Sequence, residues 1–148
     1  MKITTYYKIF YRHRVEKANI LLKFYIFIIL PFRYLINLPF LPKVINLDDH
    51  SKKNEELFKK DLDYLFEYFN SDKGEFYINQ YMQPIKKNNL RIDAHGYSKI
   101  YEKYFEKIRN DRLNILEIGS FYGNAAGAFF YYFKNSKIFS ADICPDLF

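Results

Sequence analysis

Four residues in the C-terminal part of the chain have types and spacing suited to holding a nucleoside. Glu117, Gly119 and Gly123 follow one another closely, and Asp142 comes roughly twenty residues after Gly123. Glycine has no Cβ, so a ligand can approach the backbone at Gly119 and Gly123, and both residues can adopt positive φ. A carboxylate at Asp142 can accept hydrogen bonds from both hydroxyls of a ribose. This spacing predicts a site for a ribose-containing ligand.

The residues around this site predict a strand, a glycine turn, a helix and a second strand. Residues 115–118 are an apolar run that is too short for a helix, which indicates a strand. Residues 125–133 reach helical length, and residues 137–141 form the second strand, which ends at Asp142. Gly127 is expected to let the helix lie close to the strand. Such a βαβ unit directs the free N–H groups of the helix start beyond the carboxyl end of the strand, where nucleotide-like ligands bind.

The glycine pattern separates two kinds of cofactor. Dinucleotide-binding folds usually read G-x-G-x-x-G, with a pyrophosphate at the helix N-terminus, whereas this chain reads E-x-G-x-x-x-G-x-x-x-G. The acid at Glu117 would repel a pyrophosphate, which disfavours an NAD-dependent oxidoreductase. It suits the cationic amino-acid end of S-adenosylmethionine instead. The plainer alternative is a generic βαβ unit whose glycines only make a turn.

These residues resemble the first two motifs of class I S-adenosylmethionine-dependent methyltransferases. The first motif is matched by Glu117, Gly119 and Gly123, and the acid of the second motif is matched by Asp142. The resemblance implies that the glycine turn cradles the methionine moiety and that Asp142 holds the ribose. The cofactor-binding residues that it implies are Glu117, Gly119, Ser120, Phe121, Gly123 and Asp142.

The same resemblance implies an α/β fold class with a Rossmann-like methyltransferase sheet, preceded by an α-helical N-terminal region. The complete sheet has about six or seven strands, and this sequence reaches the second. A single βαβ unit seldom forms a stable core alone, so the chain is either a fragment or needs a partner to cover its sheet, and the first is favoured. We therefore expect a fragment that holds part of a cofactor site. The acceptor site would lie on loops after later strands, so no catalytic residue is assigned.

The segment before the glycine turn carries a narrower resemblance. SDKG, then HGYSKIYEKYF and then LEIG resemble the lead-in of sugar-modifying enzymes of the macrocin O-methyltransferase kind. This resemblance implies that Lys73, His95 and Tyr97 sit at the mouth of the cofactor pocket and that the substrate is a sugar or glycan hydroxyl. Any divalent metal of those relatives would be held by residues from later strands, and no metal ligand is assigned here. The alternatives are a solvated turn lysine, a loop histidine and a half-buried packing tyrosine.

The net charge of +6 is concentrated at the N-terminus. Residues 1–43 contain a single acid, Glu16, against Lys2, Lys8, Arg12, Arg14, Lys17, Lys23, Arg33 and Lys43. The rest of the chain is close to neutral, so the basic pI does not indicate nucleic-acid binding by the folded domain. The single cysteine, Cys144, excludes an internal disulfide and indicates a reducing, cytoplasmic compartment.

Residues 20–41 are strongly apolar. The longest uncharged run, residues 24–32, is shorter than the ~20 residues that a spanning helix needs. Two interpretations stay open: residues 1–43 lie on an anionic membrane surface at the cytoplasmic face, or this segment packs on the rest of the domain. A re-entrant hairpin bent at Pro31 is a third. A membrane-surface interaction module with a degenerate nucleotide-binding scaffold is accordingly the alternative to an enzyme.

The sequence predicts three segments: a basic, aromatic and apolar segment 1–47, a helical lead-in 48–112 and the start of the cofactor-binding domain 113–148. Residues 41–51 are interpreted as a linker and residues 70–74 as a turn. One packing helix is predicted over residues 54–69. A second amphipathic helix follows Tyr97, with one apolar face made of Ile100, Tyr101, Tyr104, Phe105 and Ile108.

Overall fold

The computed structural model describes residues 1–41, 44–78 and 91–143. Within these residues the chain forms two compact units, one containing residues 1–41 and the other containing residues 45–78 and 91–143. The described parts of the predicted segments 48–112 and 113–148 belong to the same unit. Cys144 lies outside the described residues.

The first unit consists of helices. These are α1 (Ile3–Phe10), α2 (Arg12–Glu16) and α3 (Ile20–Asn37), and a 3-10 turn (Leu38–Phe40) follows them. Asn19 begins α3, since its side-chain oxygen accepts a hydrogen bond from the backbone N–H of Leu22. The helix continues through Pro31, so the hairpin bent at that residue is wrong. The small core of the unit consists of Tyr6, Phe10, Tyr11, Ile26 and Leu41.

The second unit begins with a short helix where the sequence predicted a linker. α4 spans Leu47–Lys53, which corrects the interpretation of residues 47–51. Asn46 accepts a hydrogen bond from the backbone N–H of Asp49 and starts the helix. Asp48 and Asp49 then lie in the first turn, where the helix dipole favours acids.

The single helix predicted over residues 54–69 is two elements. A 3-10 turn (Glu55–Lys59) precedes α5 (Leu62–Tyr68). The break occurs because the Asp61 side chain accepts a hydrogen bond from the backbone N–H of Tyr64 and starts a new helix. The apolar residues of both pieces still pack inward.

A small antiparallel pair and a third helix complete the lead-in. β1 (Phe76–Ile78) pairs with β2 (Arg91–Asp93), and α6 (Ser98–Phe105) continues into a 3-10 turn (Glu106–Ile108). Of the predicted apolar face, Tyr101, Phe105 and Ile108 pack against the core, whereas Ile100 and Tyr104 are exposed. The predicted face is therefore correct in part.

The predicted strand, turn, helix and strand are confirmed. β3 (Asn114–Ile118) pairs in parallel with β4 (Lys137–Ala141), with Asn114 opposite Lys137 and Ile118 opposite Ala141. α7 (Asn124–Tyr132) connects the two strands. Helices with a small parallel sheet agree with the α/β class.

The core of the second unit lies between α5, α7 and one face of this sheet. Its fully buried members include Leu57, Leu62, Leu65, Phe66, Ala128, Tyr131 and Phe133. Ile115 and Ile138 of the sheet pack against this cluster. On the strands, Leu116, Ile118 and Phe139 are exposed. The core thus fixes the helix that follows the glycine turn against the strands that bracket it.

Candidate functional site

The turn between β3 and α7 has the backbone conformation that its glycines predict. Gly119 and Gly123 have φ of 79° and 74°, and Phe121 between them has φ of 51°. The backbone N–H of Gly119 donates to the carbonyl of Ala141 at 2.8 Å, and the backbone N–H of Gly123 donates to the carbonyl of Ser120 at 2.8 Å. These bonds hold the turn at the carboxyl end of the two parallel strands. We call residues 119–123 the glycine turn.

The space beside Gly119 is open. A Cβ at this position would meet no atom of the described residues within 4 Å, its two chain neighbours aside. Glycine is therefore required here by its positive φ and not by contact with the rest of the protein. A ligand can approach the backbone at this point.

The sequence predicts that Gly127 lets α7 approach the strand, and the element that α7 approaches at Gly127 is a different one. Its α-carbon faces the Phe69 ring, and a Cβ would lie 3.0 Å from Cδ1 of that ring. The close approach is therefore between α7 and the end of α5, not between the helix and the strand. The reason is that the phenylalanine at the C-terminus of α5 lies over the first turns of α7.

Asp142 contacts the glycine turn directly. Its Oδ2 accepts a hydrogen bond of 2.8 Å from the backbone N–H of Phe121. This bond joins the end of β4 to the middle of the turn, although Phe121 is in a left-handed conformation that costs roughly 1–2 kcal/mol for a non-glycine residue. Asp142 thus has a positioning role that the sequence does not predict.

Ser120 faces inward. It is 5% exposed, and its hydroxyl donates to the carbonyl of Glu117 at 3.3 Å. Any contact of Ser120 with a ligand would therefore come from its backbone and not from its hydroxyl.

Glu117 is a carboxylate that is almost completely buried. Its side chain is 4% exposed, and its Oε1 lies 3.1 Å from the ammonium nitrogen of Lys73, whose side chain is 22% exposed. Neither carboxylate oxygen has a hydrogen bond of acceptable geometry. The contact with Lys73 is accordingly an ion pair by distance alone. A buried carboxylate with one imperfect partner is costly, because burying a charge is offset only by a well-paired, hydrogen-bonded environment.

The loop that contains Lys73 lies beside the segment that contains His95 and Tyr97. The backbone N–H groups of His95 and Tyr97 donate to the carbonyls of Asp72 and Lys73, both at 2.9 Å. The two rings stack with their centroids 5.1 Å apart, and His95 Nε2 lies 3.6 Å from Asp72 Oδ2. The structure therefore brings Lys73 together with Glu117. His95 and Tyr97 belong to the segment that is hydrogen-bonded to the loop of Lys73.

Comparisons with models of known protein families, with curated proteins and with solved structures find no match.

One further residue at this site, Asn124, is not predicted from the sequence. The Asn124 side-chain amide, at the start of α7, donates to the carbonyl of Asn70 at 2.8 Å. This bond ties the glycine turn to the 70–74 turn, and so supports the position of Lys73. The two residues are 54 positions apart, and no pattern in the sequence pairs them.

A second polar cluster lies away from the glycine turn. The two ring nitrogens of His50 lie 2.7 Å from the Tyr131 hydroxyl and 3.2 Å from the Tyr68 hydroxyl. Burial raises the pKa of Tyr131 to about 12. This cluster joins α4, α5 and α7, and its role is structural.

Two concave surfaces of the protein lie away from the glycine turn. Two shallow clefts, of about 240 Å³ and about 380 Å³, have Phe58, Lys59 and Lys134 in common. Neither is lined by a residue of the glycine turn. Within residues 1–41, 44–78 and 91–143, the structure contains no group of three or more His, Cys, Asp or Glu side chains placed to hold a metal ion.

Proposed function

We propose that this chain binds S-adenosylmethionine at the glycine turn and supports transfer of its methyl group to a hydroxyl of a sugar or glycan. The observation that carries the proposal is the buried Glu117 carboxylate, whose two oxygens lack hydrogen bonds among the described residues, two positions before the open space at Gly119. On this proposal the parallel strand pair is the start of a Rossmann-like sheet. Ligands of such sheets bind beyond the carboxyl ends of the strands, where the glycine turn lies.

The charges at the turn match the amino-acid end of the cofactor. That end carries an ammonium and a carboxylate, and the turn offers Glu117 and Lys73 at 3.1 Å from one another. The ligand ammonium would supply the hydrogen bonds that Glu117 lacks, and the ligand carboxylate would pair with Lys73. Charge-assisted hydrogen bonds of this kind are roughly twice as strong as neutral ones.

The remaining residues suit the nucleoside part of the ligand. The open space beside Gly119 admits the ligand against the backbone. Asp142, held by the backbone N–H of Phe121, is at the end of the second strand, where an acid can accept hydrogen bonds from ribose hydroxyls. A pyrophosphate in the same place would face the Glu117 carboxylate, so NAD is the weaker candidate.

The reaction needs little from the protein beyond alignment. A lone pair of the acceptor oxygen forms a bond to the methyl carbon while the carbon–sulfur bond breaks and its electron pair stays on sulfur. The sulfonium becomes a neutral thioether, and the hydroxyl proton passes to a base or to water. Holding acceptor oxygen, methyl carbon and sulfur in line supplies most of the rate enhancement.

The proposal is tested by calorimetric titration of the protein with S-adenosylmethionine and, separately, with NAD. Gly119→Ala is the decisive variant: it strains the backbone at a positive φ, but the added methyl group meets no atom of the described residues beyond its chain neighbours, so a ligand is the group that it would obstruct. We expect it to weaken binding of S-adenosylmethionine at least tenfold, which corresponds to about 1.4 kcal/mol.

Gly96→Ala is the matched control for backbone strain. Gly96 also has positive φ, 66°, and also has nothing within 4 Å of an added Cβ. Both variants should lose similar stability, and the larger loss of affinity should belong to Gly119→Ala. No heat with S-adenosylmethionine, equal affinity in the two variants, or tighter binding of NAD would overturn the proposal.

A further inference from the structure

One face of α3 is apolar, uncharged and exposed. At 3.6 residues per turn its residues occupy an arc of roughly 180° around the helix. We call this the outer face of α3, and it consists of Ile20, Leu21, Phe24, Tyr25, Phe27, Ile28, Phe32, Leu35 and Ile36. Their exposure runs from 47% at Ile28 to 78% at Ile20. A contiguous exposed apolar surface of this kind marks an interaction site.

The opposite face of α3 is covered by α1 and α2. Ile26 and Asn37 are buried there, and the Asn37 amide donates to the Tyr6 hydroxyl at 2.7 Å. The Tyr34 hydroxyl donates to the carbonyl of Met1 at 2.8 Å. The start of α1 therefore lies beside the end of α3. Tyr11 contacts Arg33 near that end, and the chain must return from Tyr11 to the start of α3 at Ile20, so α2 lies alongside α3.

No Lys or Arg of α3 lies within the outer face. By the same helical spacing Lys23 lies about 40° beyond one edge of the arc and Arg33 about 60° beyond the other. Arg33 lies against the covered side, where it donates to the Tyr11 hydroxyl at 3.4 Å. The other cations are carried by the segment that covers α3, namely Lys2, Lys8, Arg12, Arg14 and Lys17.

We infer that this unit docks on an anionic lipid bilayer, with α3 lying in the plane of the membrane. Its outer face is buried at the boundary between headgroups and acyl chains, and Lys23, beside one edge of that face, lies at the level of the phosphates. The cations of α1 and α2 face the aqueous side, within the ~10 Å over which a surface potential acts at about 0.1 M salt. The charge complementarity identifies anionic lipid as the occupant. This inference does not depend on the proposed methyl transfer.

The in-plane orientation follows from the position of α2. α3 is long and apolar enough, by length and composition, to cross a membrane, with a mean hydropathy of 1.7. A spanning orientation would carry the cations of α2, which lies alongside α3, into the hydrocarbon. In the plane of the surface, the same cations stay in water. The packing of α1 and α2 on α3 therefore favours an in-plane helix.

Vesicle flotation tests the docking. The full chain should float with phosphatidylcholine vesicles that contain a third of phosphatidylglycerol, and much less with phosphatidylcholine alone. Lys23→Gln should weaken binding about fivefold, and raising the salt from about 0.1 M to about 0.5 M should weaken it further. Flotation that is absent, or equal for the two lipid compositions, contradicts the inference.

A matched pair of variants tests the surface. Phe24→Glu places an acid on the outer face at a residue that is 65% exposed, and Tyr104→Glu does the same on α6 at a residue that is 63% exposed. Phe24→Glu should reduce flotation at least tenfold while Tyr104→Glu leaves it unchanged. A second copy of the chain as the true occupant would appear as a dimer in light scattering that Phe24→Glu dissociates, with no lipid binding in either protein.

The depth of α3 tests its orientation. The chain contains no tryptophan, so Ile20→Trp, Ile28→Trp and Leu35→Trp each introduce a single fluorophore along the outer face. An in-plane helix predicts equal quenching of all three by lipids brominated near the headgroup. Stronger quenching of Ile28→Trp than of the two end positions by deeply brominated lipids would show a spanning helix and overturn the orientation.

Discussion

The ammonium nitrogen of Lys73 lies 3.1 Å from the Glu117 carboxylate, which is almost completely buried and whose two oxygens accept no hydrogen bond from the described residues. The same distance separates Lys99 and Glu75, whose side chains are 81% and 33% exposed. The two pairs therefore differ in burial and not in separation. This difference makes them a matched set for measuring what burial does to an ion pair.

We expect Lys73→Met to lower the free energy of unfolding by about 3 kcal/mol, because it leaves a buried carboxylate without its cation. Glu117→Gln should cost less, since the Lys73 side chain is partly exposed and its ammonium can turn toward water. Urea denaturation followed by circular dichroism measures both. Lys99→Met should change stability by less than about 1 kcal/mol. Equal losses in Lys73→Met and Lys99→Met would show that the burial of Glu117 has no energetic consequence.

The hydrogen bond between Asp142 and Phe121 predicts a double effect of Asp142→Ala. Loss of a charged acceptor for the backbone N–H of Phe121 should reduce stability by roughly 1.5–3 kcal/mol. Binding of S-adenosylmethionine should fall as well, on the proposed function. Thermal denaturation and calorimetric titration of the same preparation separate the two effects.

Asp61→Ala is the control for this variant. Asp61 accepts a hydrogen bond of 2.7 Å from the backbone N–H of Tyr64 and starts α5, so its removal should cost about 1 kcal/mol. Its affinity for the cofactor should be unchanged. If Asp61→Ala weakens binding as much as Asp142→Ala does, the effect of Asp142 is a general loss of stability.

The local features of this fold were predictable from the sequence, and the long-range contacts were not. Apolar runs of strand and helix length, with glycines between them, are sufficient to predict β3, the glycine turn, α7 and β4. Helix 54–69 was predicted as one element because its apolar spacing continues across Asp61, whereas the side chain of that residue ends one piece and starts the next. The spacing of apolar residues does not reveal a helix-capping residue that lies inside a continuous apolar pattern.

Two other features of the structure, α4 and the contacts of Arg109, were not predicted from the sequence, each for its own reason. α4 has no buried residue and therefore no apolar pattern, although Asn46 with Asp48 and Asp49 is a recognisable helix start. The contacts of Arg109, which donates to the carbonyls of Phe58 and Lys60 at 2.9 Å and 2.7 Å, join residues about 50 positions apart. Bonds of this kind satisfy the carbonyls at the end of the 3-10 turn, and they depend on the tertiary arrangement.

The contact of Gly127 with the Phe69 ring predicts that Gly127→Ala destabilises the protein. Within a helix this substitution usually stabilises by up to about 1 kcal/mol. Here the new methyl group would lie 3.0 Å from the ring, which is stacked on Tyr131 and in edge contact with Tyr68. We expect a net loss of about 1 kcal/mol, since overpacking costs roughly 1–3 kcal/mol. Adding Phe69→Leu should recover part of that loss, and a more stable Gly127→Ala single variant would show that the ring moves freely.

The buried hydroxyl of Tyr131 predicts a loss of stability at alkaline pH. Burial raises the pKa of Tyr131 from its ordinary value of 10.0 to about 12, with smaller contributions from Tyr68 and Glu56. Between these two pH values the unfolded chain loses the Tyr131 proton while the folded chain keeps it, so the folded state binds more protons and stability falls as pH rises. The loss is complete above about pH 12 and amounts to roughly 2–3 kcal/mol at 1.36 kcal/mol per pKa unit.

Urea denaturation at several pH values from 9 to 12 measures this slope, and Tyr131→Phe should reduce it. The variant also loses the hydrogen bond to His50, so its stability at pH 9 should be lower while its pH dependence is shallower. Burial also raises the pKa of Tyr132, so part of the slope should remain in the variant. Tyr104→Phe, which removes a hydroxyl from a residue that is 63% exposed, is the control. An equal slope in the wild-type protein and in Tyr131→Phe would mean that the Tyr131 hydroxyl reaches water in the folded state.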